Sequence, residues 1–242
     1  MRKVSFDTET TGPDPLNDRI VTAALVARGG GLPDKIMSWL INPGIPIPAE
    51  ATEVHGIDDA KAATGANPAD ALDDIARHLA VAMAYGMPVI AFNLSFDWTI
   101  LTRDCERHRV PGPADRVPEG TVQALIDPLV IDKQFDKYVK GKGQRKLKPT
   151  AERYGVELTD WHTAEADALA ALLIAEAQFK RFGLLNDHSP AYLFAQQQRW
   201  RADQAASLQH YYRTKASPEQ GGDPTKVIDG SWPLIPRQQN GA

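Results

Sequence analysis

Apolar and polar side chains alternate along much of the first 41 residues with the two-residue period of β-strands. The pattern predicts strands at residues 3–8, 19–28 and 35–41, with Gly29-Gly30-Gly31 as the turn between the last two. One face of the first strand is expected to carry Val4, Phe6 and Thr8. The chain is therefore predicted to open with a three-stranded antiparallel meander.

Helices and strands alternate after the meander. Asn67-Pro68 starts a predicted helix, and residues 164–182 form a long helix whose apolar side chains recur every three or four positions until Gly183 ends it. Between these two helices the pattern predicts a strand at 88–92, a helix at 98–108, a strand at 122–126 and a helix at 148–154. A meander followed by such alternation indicates an α/β fold, with a mixed sheet flanked by helices.

The composition changes after residue 183. A helix is predicted at about 190–212, and residues 214–242, which contain four prolines and four glycines, are expected to be extended. We therefore divide the chain into a domain at 1–183 and a C-terminal extension at 184–242.

Composition narrows the class of protein. Hydrophobic residues make up 43% and charged residues 24%, no apolar run approaches the length of a membrane span, and no apolar segment of signal-peptide length opens the chain. Cys105 is the only cysteine, which excludes an intramolecular disulfide. These features predict a cytoplasmic protein without membrane contact. The net charge of −4 does not favour general affinity for nucleic acid, but it is compatible with an enzyme that holds a few nucleotides through local positive charge.

Three short acidic segments carry the candidate chemistry. They read Asp-Thr-Glu-Thr-Thr-Gly at 7–12, Asn-Leu-Ser-Phe-Asp at 93–97 and His-Thr-Ala-Glu-Ala-Asp at 162–167. Asp7 and Glu9 are two apart on a strand, so their carboxylates leave the same face and suit a hard cation such as Mg²⁺ or Mn²⁺. Taken alone, the same pair also fits a solvated strand face.

The second and third segments place further acidic groups at helix starts. Asp97 is expected in the first turn of a helix, where the helix dipole favours its ionised form, and Asn93 is a candidate N-cap or substrate contact. Asp167 lies one turn into the long helix and is predicted to face the sheet edge from which Asp7 and Glu9 emerge. His162 lies in the preceding loop, where an imidazole that titrates near neutral pH can take a proton from water.

Together the three segments resemble the DEDDh family of 3′→5′ exonucleases, which includes the proofreading subunit of bacterial replicative DNA polymerase. The resemblance covers roughly residues 3–182 and implies a ribonuclease H-like fold. It implies that two divalent metal ions, Mg²⁺ or Mn²⁺, are bound by the four aligned carboxylates and that the aligned histidine acts as general base. The implied metal ligands are Asp7, Glu9, Asp97 and Asp167, and the implied base is His162.

The form of the first segment resembles the DNA-directed branch of the family. The implied activity is removal of nucleoside 5′-monophosphates from the 3′ end of a single strand, with DNA preferred over RNA. Alternatives are an exoribonuclease with the same chemistry and a non-catalytic nucleic-acid-binding module of a polymerase. All five catalytic positions are filled, which favours an enzyme.

Substrate contacts are predicted outside the carboxylates. The segment at 54–57, Val-His-Gly-Ile, resembles the part of the family that lines the pocket for the terminal nucleotide, so His55 joins Thr10 and Asn93 as a candidate contact; a capping or packing histidine is the alternative. Residues 133–148 concentrate seven positive charges and predict a basic arm for phosphates, although a solvated loop would have the same composition. The arm's candidate contacts are Lys140, Lys142, Arg145 and Lys146.

The extension offers two apolar surfaces. Trp200 lies on the apolar face of the predicted helix, and Trp232 begins a Trp-Pro-Leu-Ile-Pro segment. These surfaces are expected to fold back on the first domain in preference to docking a partner such as a DNA polymerase.

Overall fold

Five strands form one mixed sheet in a computed structural model of the chain, which describes residues 1–119, 121, 124–157, 163–184 and 188–237. The spatial order is β3-β2-β1-β4-β5, and the strands are β1 (Arg2–Thr10), β2 (Ile20–Gly29), β3 (Leu32–Leu40), β4 (Val89–Ile90) and β5 (Leu125–Ile126). The first three strands pair antiparallel, whereas β4 pairs parallel with both β1 and β5. The predicted meander and mixed sheet are confirmed.

Helices cover both faces of this sheet. They are α1 (Ala49–His55), α2 (Asp59–Ala62), α3 (Pro68–Ala84), α4 (Leu94–His108), α5 (Pro128–Phe135), α6 (Leu147–Arg153), α7 (Ala164–Phe182) and α8 (Pro190–Thr214). The side chains of α3 and α4 pack with Val4 and Phe6 in one core, and those of α7 pack with Val26, Ile90 and Ile126 in a second. Strands β1, β2, β4 and β5 are therefore largely buried, whereas β3 at the edge of the sheet is largely exposed.

Three short helices were missed by the sequence patterns, namely α1, α2 and α5. The fifth strand was predicted to begin at Val122, but it is observed only at 125–126, and residues 122 and 123 lie outside the described part of the chain. Helix α4 begins at residue 94, four residues earlier than predicted, which puts Asp97 inside its first turn.

The extension packs against the first domain. Helix α8 contacts β5 and α5, and Trp200 packs against both cores. Trp232 is 6% exposed and belongs to the core that α3 and α4 share. The backbone of Ile235 accepts a hydrogen bond from Arg103 at 3.1 Å and donates one to Thr99 Oγ1 at 2.9 Å. The expectation that the tail folds back on the chain itself agrees with these contacts, while the division at residue 183 stays a prediction.

None of the helices that the structure describes combines the length and apolar character needed to cross a bilayer.

Candidate active site

Three carboxylates meet at the C-terminal end of β1. Asp7 and Glu9 leave the same face of the strand, and Asp167 reaches them from the first turn of α7. One oxygen from each of the three lies within 4.8 Å of the other two. Helix α7 begins here because Thr163 caps it, accepting a hydrogen bond from Ala166 N–H at 3.3 Å. The predicted convergence of these three side chains is thus observed.

The fourth carboxylate approaches β1 from α4. Asp97 is 4% exposed, and its Oδ1 accepts hydrogen bonds from Thr8 N–H at 3.0 Å and Thr8 Oγ1–H at 2.7 Å. Thr8 lies between Asp7 and Glu9 in β1, so these hydrogen bonds fix Asp97 to the strand that carries both carboxylates. Asp97 is not one of the three carboxylates that converge within 4.8 Å, but its charge acts on Asp7.

Crowding and burial disfavour ionisation of this cluster. Burial raises the pKa of Asp7 well above its usual value, and the charges of Asp97, Asp167 and Glu9 raise it further. Burial, with the charge of Asp167, raises the pKa of Glu9 to about 7. Burial also raises the pKa of Asp97 to about 7, although its hydrogen bonds from Thr8 act in the opposite direction. Carboxylates in this state are suited to cations, because positive charge removes both the repulsion and part of the desolvation cost.

A cleft of about 780 Å³ opens beside Glu9. It brings together three predicted substrate contacts that are far apart in the sequence: Thr10, His55 and Asn93. Val54 and Phe96 supply apolar wall between them, so the cleft offers both polar and apolar contacts to a ligand.

His55 has a defined orientation in this cleft. Its Nδ1 accepts a hydrogen bond from Ile57 N–H at 3.1 Å just beyond the end of α1, so the neutral ring carries its proton on Nε2. Burial lowers the pKa of His55, which favours that neutral form. His55 therefore accepts a backbone hydrogen bond at the end of α1 and also lines the cleft.

The turn after β1 shapes the other side of the cleft. Thr10 Oγ1–H donates to the carbonyl of Gly12 at 2.8 Å, and Thr11 Oγ1–H donates to Asp18 Oδ1 at 3.0 Å. A side chain at position 12 would lie 2.6 Å from Asp18 Oδ2, which explains the glycine. Thr10 is thus fixed by the turn that it belongs to.

Asp127 is a site residue that the sequence analysis missed. It is 2% exposed, and its carboxylate accepts hydrogen bonds from the backbone N–H groups of Asn93 at 3.0 Å, Leu94 at 3.1 Å and Leu129 at 2.9 Å. Burial raises its pKa to about 6, against the effect of these donors. The Ile-Asp-Pro sequence, with an N-cap residue before a proline, was an available signal for a helix start at this point.

Asn93 is the N-cap residue of α4, as predicted, but it has a left-handed backbone (φ 62°, ψ 42°) and its side chain makes no capping hydrogen bond. The N–H groups at the start of the helix are instead taken by Asp127. Asn93 therefore keeps its side chain available at the wall of the cleft.

The basic arm divides into two kinds of residue. Lys140, Lys142 and Lys146 are exposed, as a phosphate-binding arm requires. Arg145 instead forms an ion pair with Asp132, which is fully buried and also paired with Arg153 at 2.9 Å. Asp132 needs these partners because an unpaired buried carboxylate is costly. The structure thus gives Arg145 an anchoring contact that the sequence did not predict.

His162, the expected general base, lies outside the described residues, as do the four residues before it. Its role stays a prediction from the sequence.

Comparison with known proteins extends these observations. The DNA polymerase III subunit epsilon-like protein of Rhodobacter capsulatus is 41% identical over 103 residues, which is 41% of this chain and 14% of that protein. A PolC-type DNA polymerase III of Streptococcus thermophilus is 30% identical over 189 residues, 76% of this chain and 12% of that protein. The chain thus spans only a small fraction of the length of these relatives.

Solved structures share the fold. A zinc-bound complex of Escherichia coli exonuclease I with single-stranded DNA has a TM-score of 0.65 at 18% identity, over 88% of this chain and 46% of the other. Exonuclease X in complex with 5′-overhanging duplex DNA has a TM-score of 0.54 at 20% identity, over 78% and 96%. The ribonuclease H-like arrangement that the resemblance implies is confirmed by these likenesses.

Residues 4–175 match the family model RNase_T, described as exonuclease, and this range contains every acidic residue of the site described above. The family indicated by the three acidic segments is thereby confirmed: the chain belongs to the exonuclease family.

Proposed function

We propose that the chain is a metal-dependent 3′→5′ exonuclease that removes nucleoside 5′-monophosphates from single-stranded 3′ ends, with DNA as the preferred substrate. The observation that carries the proposal is the convergence of Asp7, Glu9 and Asp167 within 4.8 Å, with Asp97 close enough to raise the pKa of Asp7. Carboxylates this close repel one another when ionised, and bound cations would remove that repulsion.

The four carboxylates fit the two divalent ions that the family resemblance implies. Asp7, Glu9 and Asp167 offer oxygens to a shared site. Asp97 would supply the fourth carboxylate, whose Oδ1 is oriented by its hydrogen bonds from Thr8. Two such ions, when bound, would activate water and stabilise the leaving 3′ oxygen. The raised pKa values of Glu9 and Asp97 mean that metal binding at neutral pH releases protons.

The protein's own groups orient the substrate in this proposal. The terminal nucleotide lies in the cleft beside Glu9, with Val54 and Phe96 against its base and sugar. His55 donates from Nε2, and Asn93 and Thr10 border the same space. His162 removes a proton from the attacking water, because it precedes Asp167 by five residues and an imidazole titrates in the required range.

DNA is favoured over RNA by several observations. The relatives that match most of the chain are DNA polymerase III proteins, and the structural neighbours include complexes with single-stranded DNA. The exposed charges of Lys140, Lys142 and Lys146 suit the phosphates of either nucleic acid. A replicative DNA polymerase is the proposed partner, by analogy with the DNA polymerase III relatives.

The cytoplasmic location expected from composition stays a prediction.

The proposal is tested by digestion of a 5′-labelled single strand. With Mg²⁺ we expect a ladder that shortens from the 3′ end, nucleoside 5′-monophosphate as product, and no reaction in EDTA. Parallel reactions with a mismatched primer-template and with RNA of the same sequence rank the substrates. If the strand stays intact at every Mg²⁺ and Mn²⁺ concentration while it binds the protein, the chain is a nucleic-acid-binding module and the enzymatic proposal is wrong.

A further inference from the structure

A second cleft lies between α5 and α8, on a surface that the exonuclease chemistry does not use. Its volume is about 600 Å³, and it is called the α5–α8 cleft below. Helix α5 and the residues after it contribute Lys133, Lys137 and Arg145, and helix α8 contributes Arg201, Leu208 and Tyr211. The C-terminal extension therefore completes a basic surface that begins in the first domain.

The cations of this cleft exceed its anions. Asp203 lines the cleft as well, and Arg145 is neutralised by Asp132. Within the part of the chain that the structure describes, no carboxylate lies within 4.0 Å of the side-chain nitrogens of Lys133, Lys137 or Arg201. In a chain with a net charge of −4, this is a local surplus of positive charge.

Lys133 is partly buried in the cleft. Burial lowers its pKa, the charges of Asp127 and Asp132 raise it, and the charges of Arg201 and Arg145 lower it. A bound anion would offset this repulsion between like charges. Leu208 and Tyr211, which are 43% and 40% exposed, add an apolar and aromatic wall beside the cations. A single-stranded nucleic acid offers phosphates to such cations and bases that can stack on an aromatic side chain.

The cleft is distant from the carboxylate cluster. Asp167 lies in the first turn of α7 and Phe182 ends that helix, so the two are about 22 Å apart at 1.5 Å per residue. Phe135, between Lys133 and Lys137, stacks on Phe182 with ring centroids 4.9 Å apart. A stacked strand that advances about 3.4 Å per nucleotide would need about six nucleotides to cover that distance.

We propose that the α5–α8 cleft binds the phosphate backbone of the substrate strand several nucleotides upstream of its 3′ end. This inference rests on the proposed function for its account of where the 3′ end lies. The cleft makes affinity depend on strand length, since a stacked substrate shorter than about six nucleotides does not reach from one site to the other. The extension thus acts as part of the strand-binding surface, because α8 carries Arg201 into it.

The test compares binding of a labelled strand of about 12 nucleotides, protected from hydrolysis by a 3′-terminal phosphorothioate, with hydrolysis of a dinucleotide. The variant is Lys137→Gln/Arg201→Gln, and the matched control is Lys35→Gln/Lys226→Gln, which removes two exposed lysines outside the cleft. Fluorescence anisotropy across a salt series should show a log–log slope smaller by about 1.4 for the first pair, from about 0.7 for each contact, and no change for the control. Dinucleotide hydrolysis should be unchanged in both.

A charge reversal provides a second test in case the double variant loses binding because it folds poorly. Asp203→Lys places a further cation at the rim of the cleft and should tighten binding of the longer strand, whereas Glu119→Lys, outside the cleft, should not. Equal binding by the double variant, its control and the wild type would overturn the inference. The anisotropy measurement does not need hydrolysis. A wild type that binds but does not cut would contradict the proposed function, and the binding comparison of the variants would still decide whether the cleft holds the strand.

Discussion

Gln197 joins the C-terminal extension to the candidate active site through Asp127. Its Oε1 accepts a hydrogen bond from Asp127 N–H at 2.6 Å, and its Nε2 donates to the carbonyl of Leu125 at 3.0 Å. The Gln197 side chain is fully buried, and it satisfies two backbone groups at the edge of the sheet that a sixth strand would otherwise pair. Asp127 in turn holds the N–H groups of Asn93 and Leu94 at the start of the helix that carries Asp97.

Gln197→Met should therefore reduce both stability and turnover. The apolar side chain leaves two buried backbone groups without partners, at about 1–3 kcal/mol each. A shift of the segment held by Asp127 would misplace Asp97, and such misplacement lowers kcat by up to about 10²-fold. The measurements are urea denaturation and steady-state hydrolysis of a dinucleotide, with KM expected to be unchanged.

Gln204→Met is the matched control for this substitution. Gln204 lies on the same helix, and its side chain donates to the carbonyl of Val130 at 3.0 Å and not to a group of Asp127 or Leu125. We expect lower stability without lower kcat. If both variants lost turnover in proportion to stability, Gln197 would have no role in positioning.

Neutralising single carboxylates should abolish hydrolysis while the metal-free fold survives. Asp7→Asn, Glu9→Gln and Asp167→Asn each remove a proposed metal ligand and one repulsive charge, so thermal melting in EDTA should be unchanged or higher. Glu165→Gln, on the same helix as Asp167 but outside the three-carboxylate cluster, is the control and should retain activity.

Asp97 needs a separate design, because Asp97→Ala would leave the N–H and hydroxyl groups of Thr8 without their acceptor. That variant should lose about 1–3 kcal/mol of stability as well as activity. Asp97→Asn keeps an acceptor oxygen and should lose activity alone. Substantial hydrolysis by any two of the four carboxylate variants would contradict the assignment of two metal ions.

Metal-free protein should become less stable as pH rises from about 4 to about 7. Glu9 and Asp97 have pKa values of about 7 in the folded state, above their usual values of 4.5 and 3.8, so the folded protein binds more protons than the unfolded chain across this interval. The free energy of unfolding therefore falls with increasing pH until the folded groups have ionised. Melting curves in EDTA across this range measure the effect.

Mg²⁺ should reverse that loss at the upper end of the range, since it stabilises the ionised cluster. The Glu9→Gln/Asp97→Asn variant should show a flatter pH profile and a smaller response to Mg²⁺. The pH profile of this variant is subtracted from that of the wild type. A difference in unfolding free energy that rises with pH over the same interval would contradict the raised pKa values.

His162→Ala should lower turnover by about 10²–10⁴-fold, the usual contribution of a general base. Its place in the sequence, five residues before Asp167, motivates the prediction. Calorimetric titration with Mn²⁺ should show unchanged affinity. A parallel collapse of metal affinity would make His162 a ligand and not the base, and substitution of His188, which matches no motif, provides the control.

The three exposed lysines of the basic arm should contribute to strand binding. Lys140→Gln/Lys142→Gln/Lys146→Gln should reduce the log–log salt slope for a long single strand by about 2, at about 0.7 for each phosphate contact. Arg145→Gln should act differently, since it deprives buried Asp132 of one partner and lowers the free energy of unfolding. If the triple variant binds a long strand as tightly as the wild type at low salt, the arm is a solvated loop.

Local sequence patterns were sufficient for the elements that have a strong period. The two-residue alternation predicted the meander, and the apolar stripe between Thr163 and Gly183 predicted α7 with its observed ends. The short helices α1 and α5 were missed because segments of seven and eight residues show too little of the 3.6-residue period to be recognised.

The acidic residues of the site were also determined by the sequence, because the spacing on a strand and the position at a helix start fix the direction of each carboxylate locally. Only the tertiary structure decided the rest. It showed that the Asp127 carboxylate, and not the Asn93 side chain, accepts the N–H groups at the start of α4, that Arg145 is held by Asp132, and that Gln197 links the extension to the site. Each of these pairs joins residues from different elements. Which partner satisfies a buried polar group depends on packing between elements, and a single chain read in order contains no local signal for it.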